Sequence, residues 1–290
     1  AYTGVLVWDH APPDPGVNIS VIPYTLGGIS RDYENGKKAT YQKGIGGDAK
    51  IAVTSSMNLD LTVNPDFSQV EVDRQVTNLD RFELFFPERR QFFLENGDHF
   101  ANFGYANIRP FFSRRIGLNA PIRYGARLSG KLNKDWRMGL MNMQTGKVEK
   151  SELPAQNFTV MALQRRVLAR SNIGLLMVNK QSIDYFPTDT AKNSYSRFNR
   201  NIGMEFNLAS PRNLWTGKMM VLKSFSPGNP NASWVHAGNI LYSNRHLSFG
   251  WQQEYVGRNF IAETGYVPRS NYIKLNPLLS YLFFTKNKKL

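Results

Sequence analysis

The chain holds no cysteine and only four histidines among 290 residues. The first absence excludes a disulfide framework, thiolate metal ligation and a cysteine nucleophile. His10, His99, His236 and His246 form no HExxH motif, no pair at helical spacing and no cluster, so a zinc enzyme has no support. No GxSxG elbow or P-loop occurs, and the Gly27-Gly28 and Gly46-Gly47 pairs read as turn or bulge glycines. No apolar run approaches the ~18–20 residues of a membrane helix; Ile173–Val178 and Pro277–Phe284 are the longest. A helical membrane protein is thereby excluded, but a membrane barrel is not, because alternation halves the apolar score. No secretory leader pattern is visible and Ala1 opens in mid-stream, so the chain is expected to be a mature or truncated piece. Helical periodicity is rare outside residues 68–103.

What the chain does contain is alternation. From Phe198 to Leu208, Phe198, Ile202, Met204, Phe206 and Leu208 fall on one face, and Asn199, Asn201, Gly203, Glu205 and Asn207 on the other. Successive strand side chains point to opposite faces, so this period of two describes a sheet with one apolar and one polar side. Residues 121–131 set Ile122, Tyr124, Ala126 and Leu128 against Arg123, Gly125, Arg127, Ser129 and Lys131. Residues 246–256 set Leu247, Phe249, Trp251 and Tyr255 against Ser248, Gly250, Gln252 and Glu254. Similar segments lie at 17–26, 44–54, 56–64, 134–143, 156–166, 172–181, 215–225, 233–243, 259–267 and 277–285. This makes about thirteen strands of the ~9–11 residues that a tilted bilayer-spanning strand needs. The expected fold is all-β: an antiparallel transmembrane β-barrel, apolar towards lipid and polar towards the lumen. Arg123, Arg127, Lys131, Arg137, Glu205, Asn207, Gln252 and Glu254 are expected to face that lumen. Trp136, Trp215, Trp234, Tyr242, Trp251, Tyr255, Tyr266 and Tyr272 are expected in two boundary bands. Residues 1–16 read as a tail or linker and 17–290 as one body.

Lysine and arginine number 36 against 22 acids, a formal net charge of +14. Nucleic acid is not the expected partner, because no recognition helix and no aromatics interleaved with basic residues on a small sheet are present. The cations scatter over strands and loops. They read as a solvated basic surface or lumen, some of them meeting phosphorylated lipid headgroups or lining an anion-selective pore.

Residues 64–100 break the strand rhythm. They carry eight acids and four bases, a net of −4, which leaves the remaining chain at +18. Phe82, Phe85, Phe86, Phe92, Phe93 and Phe100 need burial. Thr77 or Asn78 could cap a short helix through Phe86 that Pro87 would stop, or Pro87 could start the next turn. Residues 66–103 are therefore expected to form a folded plug-like insert held by ion pairs. Its residues include Asp66, Glu71, Asp73, Arg74, Arg81, Phe85, Phe86, Glu88, Arg89, Arg90, Phe92, Phe93 and Glu95. Asp66, Glu71 and Asp73 fit no known calcium loop, and ion pairing with Arg74, Arg81 or Arg114 suffices for them. Glu83, Glu88 and Glu95 give no specific glycosidase signal. No enzyme activity and no cofactor are expected.

The same segment carries a resemblance. GGDAKIAVTSSMNLDLTVNPDFSQVEVDRQVTNLDRFELFFPERRQFFLENGDHF and RPFFSRRIG are followed by PIRYGARLSGK, WRMGLMNMQT, LWTGKMMVLKSFSP and GYVPR. Together they resemble the outer-membrane barrel region, of unassigned function, that follows a family-9-like carbohydrate-binding domain in large Gram-negative surface proteins. The resemblance covers nearly the whole chain. It implies an outer-membrane location and an internal piece of a longer protein, with a carbohydrate-binding domain upstream and further barrel strands beyond Leu290. The function expected is passage or docking of a solute, glycan-derived or peptide, or service as a membrane subunit of a larger surface complex. Outer-membrane lipid, including anionic headgroups, is the expected surrounding. Two alternatives stand beside it: a soluble β-sandwich carbohydrate-binding module, which would bury its apolar face between two sheets, and a secreted β-rich hydrolase, which would need a convergent carboxylate pair.

Overall fold

The computed structural model describes residues 9, 18–34, 36, 38–65, 76–79, 81–185, 195–228 and 231–284. Twelve strands follow one another: β1 (Ile19–Ser30), β2 (Thr40–Thr54), β3 (Met57–Val63), β4 (Ile122–Lys131), β5 (Trp136–Thr145), β6 (Ala155–Val167), β7 (Ser171–Ile183), β8 (Phe198–Ala209), β9 (Trp215–Phe225), β10 (Trp234–Ser243), β11 (Leu247–Val256) and β12 (Tyr272–Tyr281). Each pairs antiparallel with its sequence neighbours in a single sheet ordered β1 to β12. The sheet is not closed into a barrel: β1 pairs only with β2 and β12 only with β11. The described strands make one layer, so a sandwich of two sheets is not formed.

Alternation in sequence becomes alternation in burial. Along β8, Asn199, Asn201, Gly203 and Glu205 are buried while Ile202 and Met204 are exposed. Along β7, Gly174, Leu176 and Val178 are buried while Ile173, Leu175 and Met177 are exposed. One face of the sheet is therefore an inner face, covered by other parts of the chain, and the other is an outer face. Large apolar side chains stand on both faces, Leu176 and Val178 inward and Ile173, Leu175, Met177, Ile202 and Met204 outward.

Two expected strands differ. Residues 259–267 do not pair as a strand; they fold back over the inner face, with Phe260 and Tyr266 buried. The last strand is Tyr272–Tyr281, not 277–285. At β4, Ile122 pairs with Thr145 and Tyr124 with Gln144, so Arg123 is an extra residue opposite none. Such a bulge reverses the phase of the strand before it. Ile122, expected outward, is thus buried in the core, and Arg123, expected in the lumen, is exposed.

The ends of the sheet are unlike. The connections at 55–56, 132–135, 168–170, 210–214 and 244–246 are short, while 31–39, 64–121, 146–154, 184–197, 226–233 and 257–271 are long. The described residues of the longest, 64–121, pack against the inner face. Phe93, Phe100, Phe103, Ile108, Phe111 and Ile116 join Met141, Phe158, Val160, Leu176, Leu222 and Val235 of the strands in one core. Close approach is possible because glycines face the insert. A Cβ on Gly139 would meet Phe100 Cζ at 2.5 Å.

Gly139→Val is accordingly expected to cost about 1–3 kcal/mol through overpacking. Gly238→Ala, whose added Cβ meets nothing nearer than 3.7 Å, should be close to neutral. Denaturant midpoints of the two variants check this.

Candidate functional site

The insert is anchored locally before it meets the sheet. Residues 81–90 are not helical; the helical turn falls after Pro87, at Gln91–Leu94, with a second at Asp98–Ala101. The helix expected to end at Phe86 is not formed, and Asn78 Nδ2 instead donates to the Phe82 carbonyl at 2.9 Å. Glu88 is the local hub. Its carboxylate accepts from the backbone N–H groups of Arg89 and Arg90, from Arg90 Nε and Nη2, and from Ser113 Oγ at 2.6 Å. The Arg90 guanidinium also donates to the Ile116 and Ser113 carbonyls, each at 2.7 Å, and lies 4.2 Å from the Phe93 ring centroid. Burial works to raise the Glu88 carboxyl, and the hydrogen bonds and charge of Arg90 outweigh it, holding its pKa below the usual carboxylate range. PERRQFF and RPFFSRR are thus two halves of one knot.

A seam of charge then ties the insert to the wall. Arg127, 1 % exposed, donates from Nη2 to Asp60 Oδ2 at 2.7 Å and from Nη1 to the Phe92 carbonyl. Lys50 Nζ meets Glu95 at 2.6 Å, and this contact leads in depressing the Glu95 pKa. Arg137 Nη2 meets Asp98 Oδ2 at 2.5 Å. His99 beside it is held below its usual value, by burial first and by the Arg137 charge second. Further along, Glu205 accepts from the Gly104 N–H at 3.0 Å and pairs with Lys218 at 3.0 Å. Lys218 Nζ donates to the Gly104 carbonyl at 2.7 Å. Tyr105 Oη donates to the Lys218 carbonyl and to Asn239 Oδ1, and burial raises its pKa. Each charged group on the inner face at these points has an opposite charge or a backbone dipole from the insert.

The 257–271 connection closes the other side. Arg109 and Tyr266 exchange backbone hydrogen bonds, and Phe112 N–H donates to the Thr264 carbonyl. Phe85, Phe112 and Tyr266 form a ring cluster with centroids 5.0–6.0 Å apart, Tyr266 meeting both phenylalanines edge-on. Lys180 Nζ meets Glu263 at 2.6 Å, and Asn199 Oδ1 accepts from the Glu263 N–H. At this end a cavity of about 380 Å³ opens between Arg115, Asn119, Thr145, Gln156, Lys180 and Glu263. Its lining of both signs suits hydroxyl- and amide-rich ligands better than an apolar one.

The expected site residues fall into four groups. Glu88, Arg90, Phe92, Phe93 and Glu95 are in the knot or seam, while Phe85, Phe86 and Arg81 lie beside them; Arg81 stands over the Phe82 ring and Arg114 over Phe86. Arg89 serves Glu88 through its backbone N–H, while Arg90 supplies the ion pair. Arg127, Arg137, Glu205, Asn207, Gln252 and Glu254 lie on the inner face, Asn207 and Gln252 donating to Glu205 and Glu254. Arg123 and Lys131 are exposed and outside the seam. Asp66, Glu71, Asp73 and Arg74 lie outside the described residues. The expected aromatic bands lose Tyr266, which is buried against the insert, and Tyr272, whose hydroxyl donates to Glu254. The insert runs past its expected end at 103 to Ala120. RPFFSRRIG, with three aromatic or branched residues destined for burial, was the sequence signal for that extension. Asp60 and Lys50 were missed because each looks like an ordinary polar residue of an alternating strand.

Fold and site together define an open antiparallel sheet whose inner face is filled by its own charged, aromatic insert. Residues 15–137, which span β1 to the start of β5 with the whole insert, match the model of a domain of unknown function, DUF5916. No curated protein and no solved structure matches the chain.

Asp60→Ala would leave the Arg127 guanidinium buried and short of its counter-charge, at a cost of about 3–5 kcal/mol. Lys50→Ala, at a half-exposed pair, is expected to cost about 1 kcal/mol or less. Thermal or denaturant unfolding of both variants measures the contrast.

Proposed function

We propose that this chain is part of the wall of an outer-membrane β-barrel in a Gram-negative bacterium, with its insert seated inside as a plug. In this reading it serves the passage or docking of a solute, glycan-derived or peptide, or acts as the membrane subunit of a larger surface complex. The observation that carries the reading is the outer face. Leu175, Met204, Val221, Met219, Ile240, Phe249 and Leu279 stand exposed on successive strands of it, while the charges this face carries, Lys43, Arg165, Arg200 and Lys223, lie towards strand ends. In water so continuous a patch is an association or aggregation liability, whereas in lipid it is the ordinary state.

Three further features support it. Trp234 and Tyr242 are the two ends of the outer face of β10, roughly 27 Å apart at 3.4 Å per residue, the scale of an apolar membrane band before strand tilt. Trp215 joins Tyr242 and Phe249 in a ring cluster at the short-turn end, and Tyr255 stacks on His236 near Trp234. The outer face turns polar towards the long connections, where Asn142, Asn157 and Thr159 bond one another at 2.9–3.2 Å. Finally, the two open edges are untenable in lipid, which leaves no water for unpaired backbone groups. Further strands, from this protein or a partner subunit, would complete the wall, in keeping with the resemblance to a longer surface protein. Its carbohydrate-binding context makes a glycan the solute class to test first.

Met204→Arg should destabilise the inserted protein by about 2–4 kcal/mol, and Asn207→Arg, on the inner face, by far less. Equal costs, read from folding titrations in bilayers, would count against a membrane wall.

Deleting residues 68–98 from the assembled barrel should raise single-channel conductance in planar bilayers. Unchanged conductance in an inserted deletion variant would sink the plug.

A further inference from the structure

The two rims of the sheet carry different charge. In the short turns and the strand ends that flank them, Lys131, Lys134, Arg165, Arg166, Arg170, Arg212 and Arg245 are all exposed. Asp135 is the one acid of the described short turns, and Arg166 already bridges it at 2.9 Å. Among the described acids of the insert, Asp98 and Glu95 are taken by Arg137 and Lys50. The opposite rim mixes its signs: Arg31 is followed by Asp32 and Glu34, and Lys147 and Lys150 alternate with Glu149 and Glu152. One rim therefore carries its bases with a single acid, while the other, which also holds the exposed Arg123, Arg197, Arg200, Arg258 and Arg269, interleaves bases with several acids among the described residues.

The basic rim adjoins the apolar outer face. The Arg165 guanidinium lies 5.3 Å from the Trp136 ring centroid, and Trp136 is the first residue of β5. The Trp215, Tyr242 and Phe249 rings lie in register at the same end of β9, β10 and β11. Long cationic side chains beside amphipathic rings, at the edge of an apolar belt, match the chemistry of a bilayer boundary, where carbon gives way to phosphate. A groove that tracks a nucleic-acid strand would instead interleave bases and aromatics across one face, and this rim has no such groove.

We propose that the short-turn rim docks onto the phosphates of anionic lipid headgroups, fixing the depth and orientation of the wall in one leaflet. This rests on the membrane reading above and adds which rim meets charged lipid. The test uses the assembled barrel, its wall completed by the further strands, and vesicles of phosphatidylcholine, with or without about one third phosphatidylglycerol, at low and high salt. The wild-type barrel should insert into both, with a preference for the anionic vesicles that salt removes. Neutralising Arg165, Arg166, Arg170 and Arg212 to Gln should reduce that preference, by up to roughly fivefold per cation. The matching Arg→Lys set should keep it, which excludes a folding defect as the cause. Neutralising Lys38, Lys147, Lys150 and Arg258 on the other rim should leave it unchanged. Insertion without any preference for phosphatidylglycerol, or equal losses from both rims, would overturn the docking rim and leave the membrane wall standing. Binding to soluble polyphosphate as tightly as to the anionic vesicles would also overturn it. Failure to insert into either vesicle would bring down the membrane reading, and this inference with it.

Discussion

A sheet face that carries Arg127, Arg137 and Glu205 among Val160, Leu176 and Leu222 can be covered only by something that offers both carbon and opposite charge. That constraint governs the molecule. Water would satisfy the ions and leave the aliphatic groups wet, and a plain apolar layer would strand the ions. The insert supplies both, through Phe93, Phe100, Phe103 and Phe111 for the aliphatic part and Glu95, Asp98 and the Gly104 backbone for the charges. The sign of the insert, net negative in a strongly basic chain, follows from the same requirement.

The ionic contacts also decide where the insert sits. Aromatic packing tolerates sliding, because one ring can replace another at little cost, whereas a buried guanidinium cannot change partners without losing its counter-charge. Arg127 is held at once by Asp60 of β3, by the Phe92 carbonyl and by the Phe92 ring 5.0 Å away. It therefore fixes the first helical turn of the insert against β3 and β4. At the far side the Arg109–Tyr266 bridge does the same with backbone groups. Between these points the Glu88 hub keeps the two Phe-rich segments at a set distance.

The strand content was legible because period-two alternation is a direct image of the pleat, and eleven of the twelve strands lie close to where alternation places them. The failures have physical causes. Residues 259–267 place Phe260, Ala262, Thr264 and Tyr266 opposite Asn259, Ile261, Glu263 and Gly265, a weak alternation that packing against the insert claims for a folded-back loop. Arg123 was misplaced because one extra residue flips every side chain before it, and nothing in the sequence marks a bulge that lacks glycine. Within the site, the phenylalanines and the need to bury them were legible, as was the presence of ion pairs. Which acid meets which base was not, since Lys50–Glu95 and Asp60–Arg127 join residues 45 and 67 positions apart. Sheet closure lies beyond any one strand's pattern, being a property of the two edges.

The long reach of the 257–271 connection has a consequence for how the chain assembles. Tyr266 Oη bonds the Glu83 carbonyl across 183 residues, Arg115 reaches the Gly265 carbonyl across 150, and Tyr105 reaches Asn239 across 134. The insert is made early and its seat is finished only when β10, β11 and the connection after them have arrived. Contacts of such sequence separation form late, after the loop entropy of the intervening chain has been overcome. During that interval the phenylalanine-rich stretch has no face to lie on, and exposed apolar surface in a slow-folding β topology is where aggregation competes. Docking of the last strands is thus the step at which completion of the core competes with aggregation.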